Sequence, residues 1–281
     1  DCFKNDSGDT AVGDVGVAHT QLVENIIEAD EELMEAYLGG QEIPQVKLSA
    51  AVAKAMVEGT VIPVLFTAGK SGVGTAELMD AIANYFPSPV DVKAPQAASA
   101  PKDGETIALL ADADKPFVAQ AFKLATDPFV GKMAWIRILQ GSCMPDTVYH
   151  LRDDRKTAKV GHLFKIQGKE THEVKKAVAG DIIALAKVED IKRGDVLHVE
   201  SAPMFRAVTA CPHPMYSLAV TPKSRGDEQK ISGSLSKLAE EDPTFVSTRD
   251  AQTAETVISG IGDLHLRIML TKMRERFDLD V

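Results

Sequence analysis

Phe117-Val-Ala-Gln-Ala-Phe-Lys-Leu124 and Lys132-Met-Ala-Trp-Ile-Arg-Ile-Leu139 are the stretch that decides the fold. Both runs carry β-branched, aromatic and small apolar residues in a two-residue rhythm, and Asp127-Pro128 between them is a turn signal. Working outward, the same rhythm recurs at 147–151, 158–166, 181–186 and 195–198. The intervening turns are marked by Gly141-Ser142, Gly180-Asp181 and Arg193-Gly194-Asp195. About six short strands over roughly 95 residues, with little helix, predict a small antiparallel barrel.

Beyond Pro203 the period changes. Residues 215–220 predict a strand and 227–240 a helix with Ile231, Leu235 and Leu238 inward. Residues 244–248 and 255–258 predict two more strands, and 264–277 a second helix. Strand, helix, strand, strand, helix, with residues 279–281 starting a last strand cut short by the chain end, is the ferredoxin-like split βαβ order.

Before the barrel, residues 87–104 carry four prolines and few large apolar side chains, the composition of a linker. Residues 1–18 read as loop. Residues 19–38 form one amphipathic helix stopped by Gly39-Gly40, and Leu48, Val52, Ala55 and Met56 form a second ending near Gly59. Val61-Ile-Pro-Val-Leu-Phe66 is a continuous apolar run, as in a strand buried on both faces. The loop Thr67-Ala-Gly-Lys-Ser-Gly-Val-Gly74 then leads into a helix over 75–85. This is the closing part of an α/β domain, and its lone strand needs partners from elsewhere. The expected architecture is multidomain: an incomplete α/β tail over 1–88, a linker over 89–104, a β-barrel over 105–202 and an α+β ferredoxin-like domain over 203–281.

The chain has 281 residues, 41 Asp+Glu against 31 Lys+Arg, a net charge of −10 and 44% hydrophobic residues. That is the composition of a globular protein of more than one domain. Residues 1–90 hold 14 acidic and 4 basic side chains, so the whole −10 lies there and residues 91–281 balance at 27 of each. A neutral barrel with a local basic face therefore remains compatible with nucleic acid. No apolar run is long enough for a membrane span, and Asp1-Cys2-Phe3-Lys4 lacks the features of a secretion signal. Cys2, Cys143 and Cys211 are odd in number and far apart, so neither a disulfide framework nor a zinc site is indicated, and a cytoplasmic location is expected.

Gly69-Lys70-Ser71 looks like the end of a phosphate-binding loop, but Val64 stands where the first glycine must be. A strand-to-helix turn is the plainer reading. His265, within Gly260-Ile-Gly-Asp-Leu-His-Leu266, is read as a structural histidine, with Asp263 capping the helix that follows. Asp112 with Asp114, Asp153 with Asp154, and Glu240-Glu241-Asp242 are read as solvated acids, and no metal is assigned. Arg152, Arg155, Lys156, Lys159, Lys165 and Lys169 are either solvated hairpin charge or a phosphate-contacting face.

These segments together resemble the bacterial elongation factor G family of translational GTPases. Lys115-Pro-Phe-Val-Ala-Gln-Ala-Phe-Lys-Leu-Ala-Thr126-Asp-Pro-Phe-Val-Gly-Lys132, Val178-Ala-Gly-Asp-Ile-Ile183 and Arg193-Gly-Asp195 resemble its domain II. Leu238-Ala-Glu-Glu-Asp-Pro-Thr-Phe245 and Gly260–Leu266 resemble domain III. Ala29-Asp-Glu-Glu-Leu-Met34, Ile62-Pro-Val-Leu65 and Pro87-Ser-Pro89 resemble the end of its GTPase domain.

The resemblance implies a segment of a ribosomal GTPase that drives translocation, with GTP or GDP and Mg²⁺ in the parent protein and none expected on the segment itself. It implies small-subunit rRNA and protein as partners, no membrane, and a monomeric, catalytically inactive fragment, because the Walker, switch and Asn-Lys-x-Asp motifs are not among these residues. Thr67, Ala68 and Gly69 fall on the family's guanine-base loop. Thr126, Asp127, Pro128, Phe129, Gly131 and Lys132, Arg155 and Lys156, and Gly262, Asp263, Leu264 and His265 are the implied interdomain or ribosome contacts. The family's Gly-Glu-Leu-His-Leu-Glu is Gly262-Asp-Leu-His-Leu-Arg267 here, which points to a divergent paralogue. A ribosomal-protection GTPase, or a barrel adaptor with no GTPase role, is the alternative.

Overall fold

Strands β3 (Val118–Asp127) and β4 (Gly131–Gln140) form the long antiparallel hairpin around which the barrel is built. The computed structural model describes residues 2–100, 104–127, 130–151, 157–200, 202–221 and 228–279, so Pro128, Phe129, Arg155 and Lys156 lie outside the described residues. The chain divides into two compact units, residues 1–94 and 95–281.

In the second unit, β1 (Gln96–Ala98) pairs with β2 (Thr106–Ala108). Part of the segment expected to be linker is thus structured, and Ala97 is buried against Leu109, Val118, Val196 and Met204. The barrel strands are β3, β4, β6 (Val148–Leu151), β7 (Thr157–Lys159), β8 (Leu163–Gln167), β9 (Glu170–Val174), β11 (Ile182–Ala186) and β12 (Val196–His198). They run antiparallel in the order β7-β6-β12-β3-β4-β11-β8-β9, and a short pair joins β5 (Ser142–Cys143) to β10 (Ala177–Val178). Alternate residues point inward, so Ala119 and Ala121, Ala134, Ile136 and Ile138, Ile183 and Leu185, and Leu197 share one core with Leu163 and Tyr149. Each large side chain removed from water there contributes about 1.5–3 kcal/mol. The expected single strand over 158–166 is two strands, β7 and β8, separated by Val160–His162.

The C-terminal module carries β13 (Tyr216–Val220), α5 (Glu228–Glu241), β14 (Val246–Arg249), β15 (Thr256–Gly260) and α6 (Asp263–Phe277). Its sheet order is β13-β15-β14, with both neighbours antiparallel to β15, which is the split βαβ arrangement. Ile231, Leu235 and Leu238 of α5, Leu266, Met269 and Met273 of α6, and Ile258 and Phe245 form its core. Leu279 is buried with them, and residues 280–281 of the expected last strand are outside the described residues.

The first unit contains α1 (Val15–Ile27), α2 (Glu31–Leu38), α3 (Gln45–Glu58) and α4 (Thr75–Tyr85). Residues 19–38 are two helices rather than one, because the Asp30 carboxylate accepts the N–H groups of Glu32 and Leu33 and starts a new helix. Asp14 likewise caps α1, which begins inside the expected loop. The apolar run Val61–Phe66 is not a strand among the described residues. Val61 is buried, but Ile62, Val64 and Phe66 are 80%, 74% and 75% exposed. Apolar composition alone does not make a strand, which needs a neighbour to accept its backbone hydrogen bonds.

Gly141 follows β4 with φ +76°, and a Cβ there would lie 2.5 Å from the Lys115 carbonyl oxygen and 2.7 Å from Phe117 Cα. Left-handed backbone and close approach act together at this corner. Gly141→Ala is expected to lower the unfolding free energy by about 2–3 kcal/mol in urea titration, from backbone strain plus a clash with main chain.

Candidate functional site

The hairpin end between β3 and β4 turns at Asp127–Gly131, where the Asp127 carboxylate accepts the Val130 N–H at 2.9 Å and Gly131 has φ +84°. Thr126 and Lys132 are opposed across the hairpin. Each is held by a different acid of the C-terminal module. The Thr126 N–H donates to Glu241 Oε1 at 2.7 Å, and Lys132 Nζ lies 2.9 Å from Glu240 Oε2. Lys132 is buried for most of its length, and Nζ also donates to the Glu189 carbonyl at 2.9 Å. A buried ammonium with a carboxylate and a carbonyl for company is compensated for its lost water.

Arg276, in the last turn of α6, closes the arrangement. Its Nη1 and Nη2 donate to Glu241 Oε2 and Oε1 at 2.7 and 2.9 Å, and Nη2 also reaches the Thr126 carbonyl at 2.6 Å. The fork geometry suits a carboxylate. The Glu241 hydrogen bonds raise the Arg276 pKa, against burial, which works to lower it.

Asp242, the next residue, belongs to the neighbouring turn. Its Oδ2 accepts from His265 Nε2 at 3.1 Å, and its Oδ1 accepts the Thr244 N–H and hydroxyl at 2.9 and 2.6 Å. His265 Nδ1 accepts the Ile261 N–H at 3.2 Å, so the ring carries its proton on Nε2. The imidazole stands edge-on to Phe245, with centroids 6.3 Å apart. Gly260 leaves the room for it, since a Cβ there would lie 2.6 Å from His265 Nδ1. Both ring nitrogens of His265 are engaged within the C-terminal module.

Gly262, Asp263 and Leu264 form the start of α6. Asp263 does not cap the helix, whose N-cap is Gly262 with no side-chain cap bond. Instead Asp263 Oδ2 pairs with Arg267 Nε at 2.9 Å, one helical turn on. Leu264 is 71% exposed and Ile261 53%, giving this turn an apolar outer surface.

The Glu240-Glu241-Asp242 run, read from sequence as solvated acid, is engaged at every member. The sequence did hold a signal. Three acids close a helix that has no basic residue in its last turn, against the negative end of its dipole, and such an end needs cations from outside. Arg276 itself carried no sequence signal beyond standing at a helix C-terminus.

Thr67, Ala68 and Gly69 are exposed in the first unit. The Ala68 N–H is donated to the Val73 carbonyl at 2.8 Å, and Ser71 and Gly72 donate back to the Ala68 carbonyl at 3.1 and 2.9 Å. The loop is a self-closed turn, and the Ala68 donor is engaged within it. Cys143 is buried, and burial pushes its thiol up to about 12, so it is a core residue rather than a nucleophile. Among the described residues no group of three or more His, Cys, Asp or Glu side chains is placed to hold a metal ion. No helix among them is long and apolar enough to cross a membrane.

Family models for "Elongation factor G domain 2" and "Elongation Factor G, domain III" match residues 116–200 and 211–281. A curated elongation factor G from Dehalococcoides mccartyi is 36% identical over 259 residues, 92% of this chain. The chain belongs to the elongation factor G family. It spans 37% of that relative's length. A crystal structure of a Thermus thermophilus protein superposes with a TM-score of 0.76 at 29% identity, covering 95% of this chain and 37% of that one. The barrel is therefore domain II of an elongation factor G and the split βαβ module its domain III, so the junction at Glu240–Asp242 lies where the two domains meet.

Burial works to raise the Asp242 carboxyl, but the Thr244 hydroxyl and N–H and the His265 ring together hold it below its ordinary 3.8. A carboxyl with a lowered folded-state pKa binds more protons unfolded than folded once the pH nears 3.8, so its stabilisation is whole above that pH and is lost below it. Unfolding free energy should fall as pH drops from 5 toward 3 on this account. Asp242→Asn should lower stability at pH 7 and flatten that part of the curve, read by urea unfolding at each pH.

Proposed function

We propose that this chain is a middle segment of an elongation factor G that drives GTP-dependent translocation on the ribosome, and that the segment binds and relays rather than catalyses. The supporting observation is the succession of two domain matches, 116–200 and 211–281, inside one alignment that runs through 92% of the chain. On this reading residues 1–88 are the closing part of the GTP-binding domain, 89–104 a connecting segment that includes β1, 105–202 domain II and 203–281 domain III.

GTP or GDP with Mg²⁺ is the cofactor of the whole protein in this proposal. The residues present fit only its margin. Thr67, Ala68 and Gly69 form an exposed turn whose Ala68 N–H is already used, and Val64 replaces the glycine that a phosphate loop requires. Phosphoryl transfer depends on groups that cradle the β and γ phosphates and position water. The 281-residue chain is therefore expected to show no multiple-turnover GTP hydrolysis, with or without ribosomes, in a phosphate-release assay. Sustained turnover would refute the relay reading.

The proposed partners are small-subunit rRNA, met by domain II, and a small-subunit protein, met by domain III. Lys159 on β7, Lys169 in the β8–β9 turn, and Lys175 and Lys176 just after β9 are exposed, and Arg155 and Lys156 precede β7 in the chain. Contacts to phosphate weaken steeply with salt because they release condensed counterions. The chain is expected to pellet with ribosomes at low salt and to be released as salt rises. Arg155→Glu with Lys156→Glu should weaken pelleting roughly 10–100-fold at fixed low salt and flatten the salt dependence. Pelleting that ignores both salt and charge reversal would rule out phosphate contacts through Arg155 and Lys156.

A further inference from the structure

Three consecutive carboxylates at the end of α5 each grip a different part of the molecule. Glu240 takes Lys132 on β4, Glu241 takes the Thr126 backbone on β3 together with Arg276 on α6, and Asp242 takes His265 at the 260–265 turn. We propose that Glu240-Glu241-Asp242 is a coupling junction that locks the barrel hairpin 126–132 to the 260–265 turn, so that displacing either loop displaces the other. This goes beyond the relay reading above and does not depend on ribosome binding.

The hairpin side is fixed at two opposed residues. Thr126 and Lys132 face each other across β3 and β4, and adjacent acids hold one each, so the hairpin end cannot twist or slide without breaking a charge-assisted bond. Both backbone polar groups of Thr126 are committed to the C-terminal module, the N–H to Glu241 and the carbonyl to Arg276. Lys132 has little freedom to seek another partner, its side chain being only 10% exposed and already bonded to the Glu189 carbonyl.

The turn side is fixed through one ring. His265 is held between Asp242 on Nε2 and the Ile261 N–H on Nδ1, with Phe245 at its edge and Gly260 beneath. A shift of the helix end that moves Glu241 moves Asp242 with it, and the imidazole carries the shift to Ile261. Each link is a hydrogen bond or a peptide bond, and bonded networks of this kind couple more strongly than separate contacts.

The test uses the full 281-residue chain and amide hydrogen exchange resolved at Thr126, Ile261 and Ile136, the last being a core strand residue of the barrel. Glu241→Gln keeps the shape and removes the charge. It is expected to speed exchange at Thr126 roughly tenfold, the scale of one charged hydrogen bond, and at Ile261 by about three- to tenfold. Asp242→Asn should do the reverse, with the larger effect at Ile261 and a smaller one at Thr126. Arg276→Lys keeps the charge and loses the fork, and serves as the mild variant should either of the others fail to fold. It should speed Thr126, with Ile261 following. In each case Ile136 should accelerate clearly less than Thr126 or Ile261. Changes confined to the mutated side, with the remote amide unmoved, would overturn the junction. So would equal acceleration at Ile136, which marks global destabilisation.

Discussion

A helix that ends in acids is the constraint on which the contact between barrel and C-terminal module depends. The carbonyl end of α5 carries partial negative charge, and Glu240, Glu241 and Asp242 add three carboxylates to it, with no basic residue in the last turn to offset them. The helix therefore ends favourably only if cations arrive from other elements. Lys132 comes from the barrel and Arg276 from the neighbouring helix, and the Thr126 N–H supplies a further donor. Hydrophobic burial holds each module together, but electrostatics selects how these two meet. The Glu241–Arg276 pair is partly sheltered, at 16% and 30% side-chain exposure, whereas Glu240 is 53% exposed. Solvent therefore screens the Lys132 contact on its carboxylate side, and the directional weight falls on Glu241.

The surrounding packing keeps that contact in register. Ile231, Leu235 and Leu238 fix α5 on its sheet, and Leu266, Met269 and Met273 fix α6 beside it, so the acids and Arg276 are presented from rigid supports. Phe245, 1% exposed, forms a wall for the His265 ring, and Gly260 gives it space. At the outer end of the same turn, Asp263 and Arg267 make a solvent-facing pair at 2.9 Å. That pair adds little stability at such exposure.

Sequence reading succeeded where the structural cause is local. β4 from Ala134 onward and β6 alternate between buried and more exposed residues, while β11 and β12 are buried at nearly every position and are legible as short runs rich in apolar residues. It missed β9, because Glu170, Thr171, His172 and Glu173 are all exposed and give no alternation. It merged α1 and α2, because the apolar stripe continues through Asp30 while the backbone restarts on that side chain. It made Val61–Phe66 a strand on hydrophobicity, although pairing is a property of two segments. The acid triplet failed for the related reason that its partners are distant in sequence: Thr126 is 115 residues from Glu241, and Arg276 is 35. Charge patterning shows that an acidic helix end needs cations, but only the fold supplies which ones.

The same accounting limits which positive charge is left for an outside partner. Residues 91–281 are balanced overall, yet several of their cations are committed internally. Lys132 and Arg276 serve the junction, and Arg206 holds the Gln96 carbonyl and the Gln120 side chain. Arg193 donates to Cys211 Sγ at 3.1 Å, and Lys165 pairs with Asp181. Basic residues drawn into the fold leave carboxylates elsewhere less neutralised, so an even total does not mean an even surface. Exposed Lys169, Lys175 and Lys176 on and after the β8–β9 hairpin are interleaved with Glu170 and Glu173, two acids that also contact His172 and His162. The field of this end of the barrel is thus set by pairing within a single hairpin rather than by the net −10 of the chain.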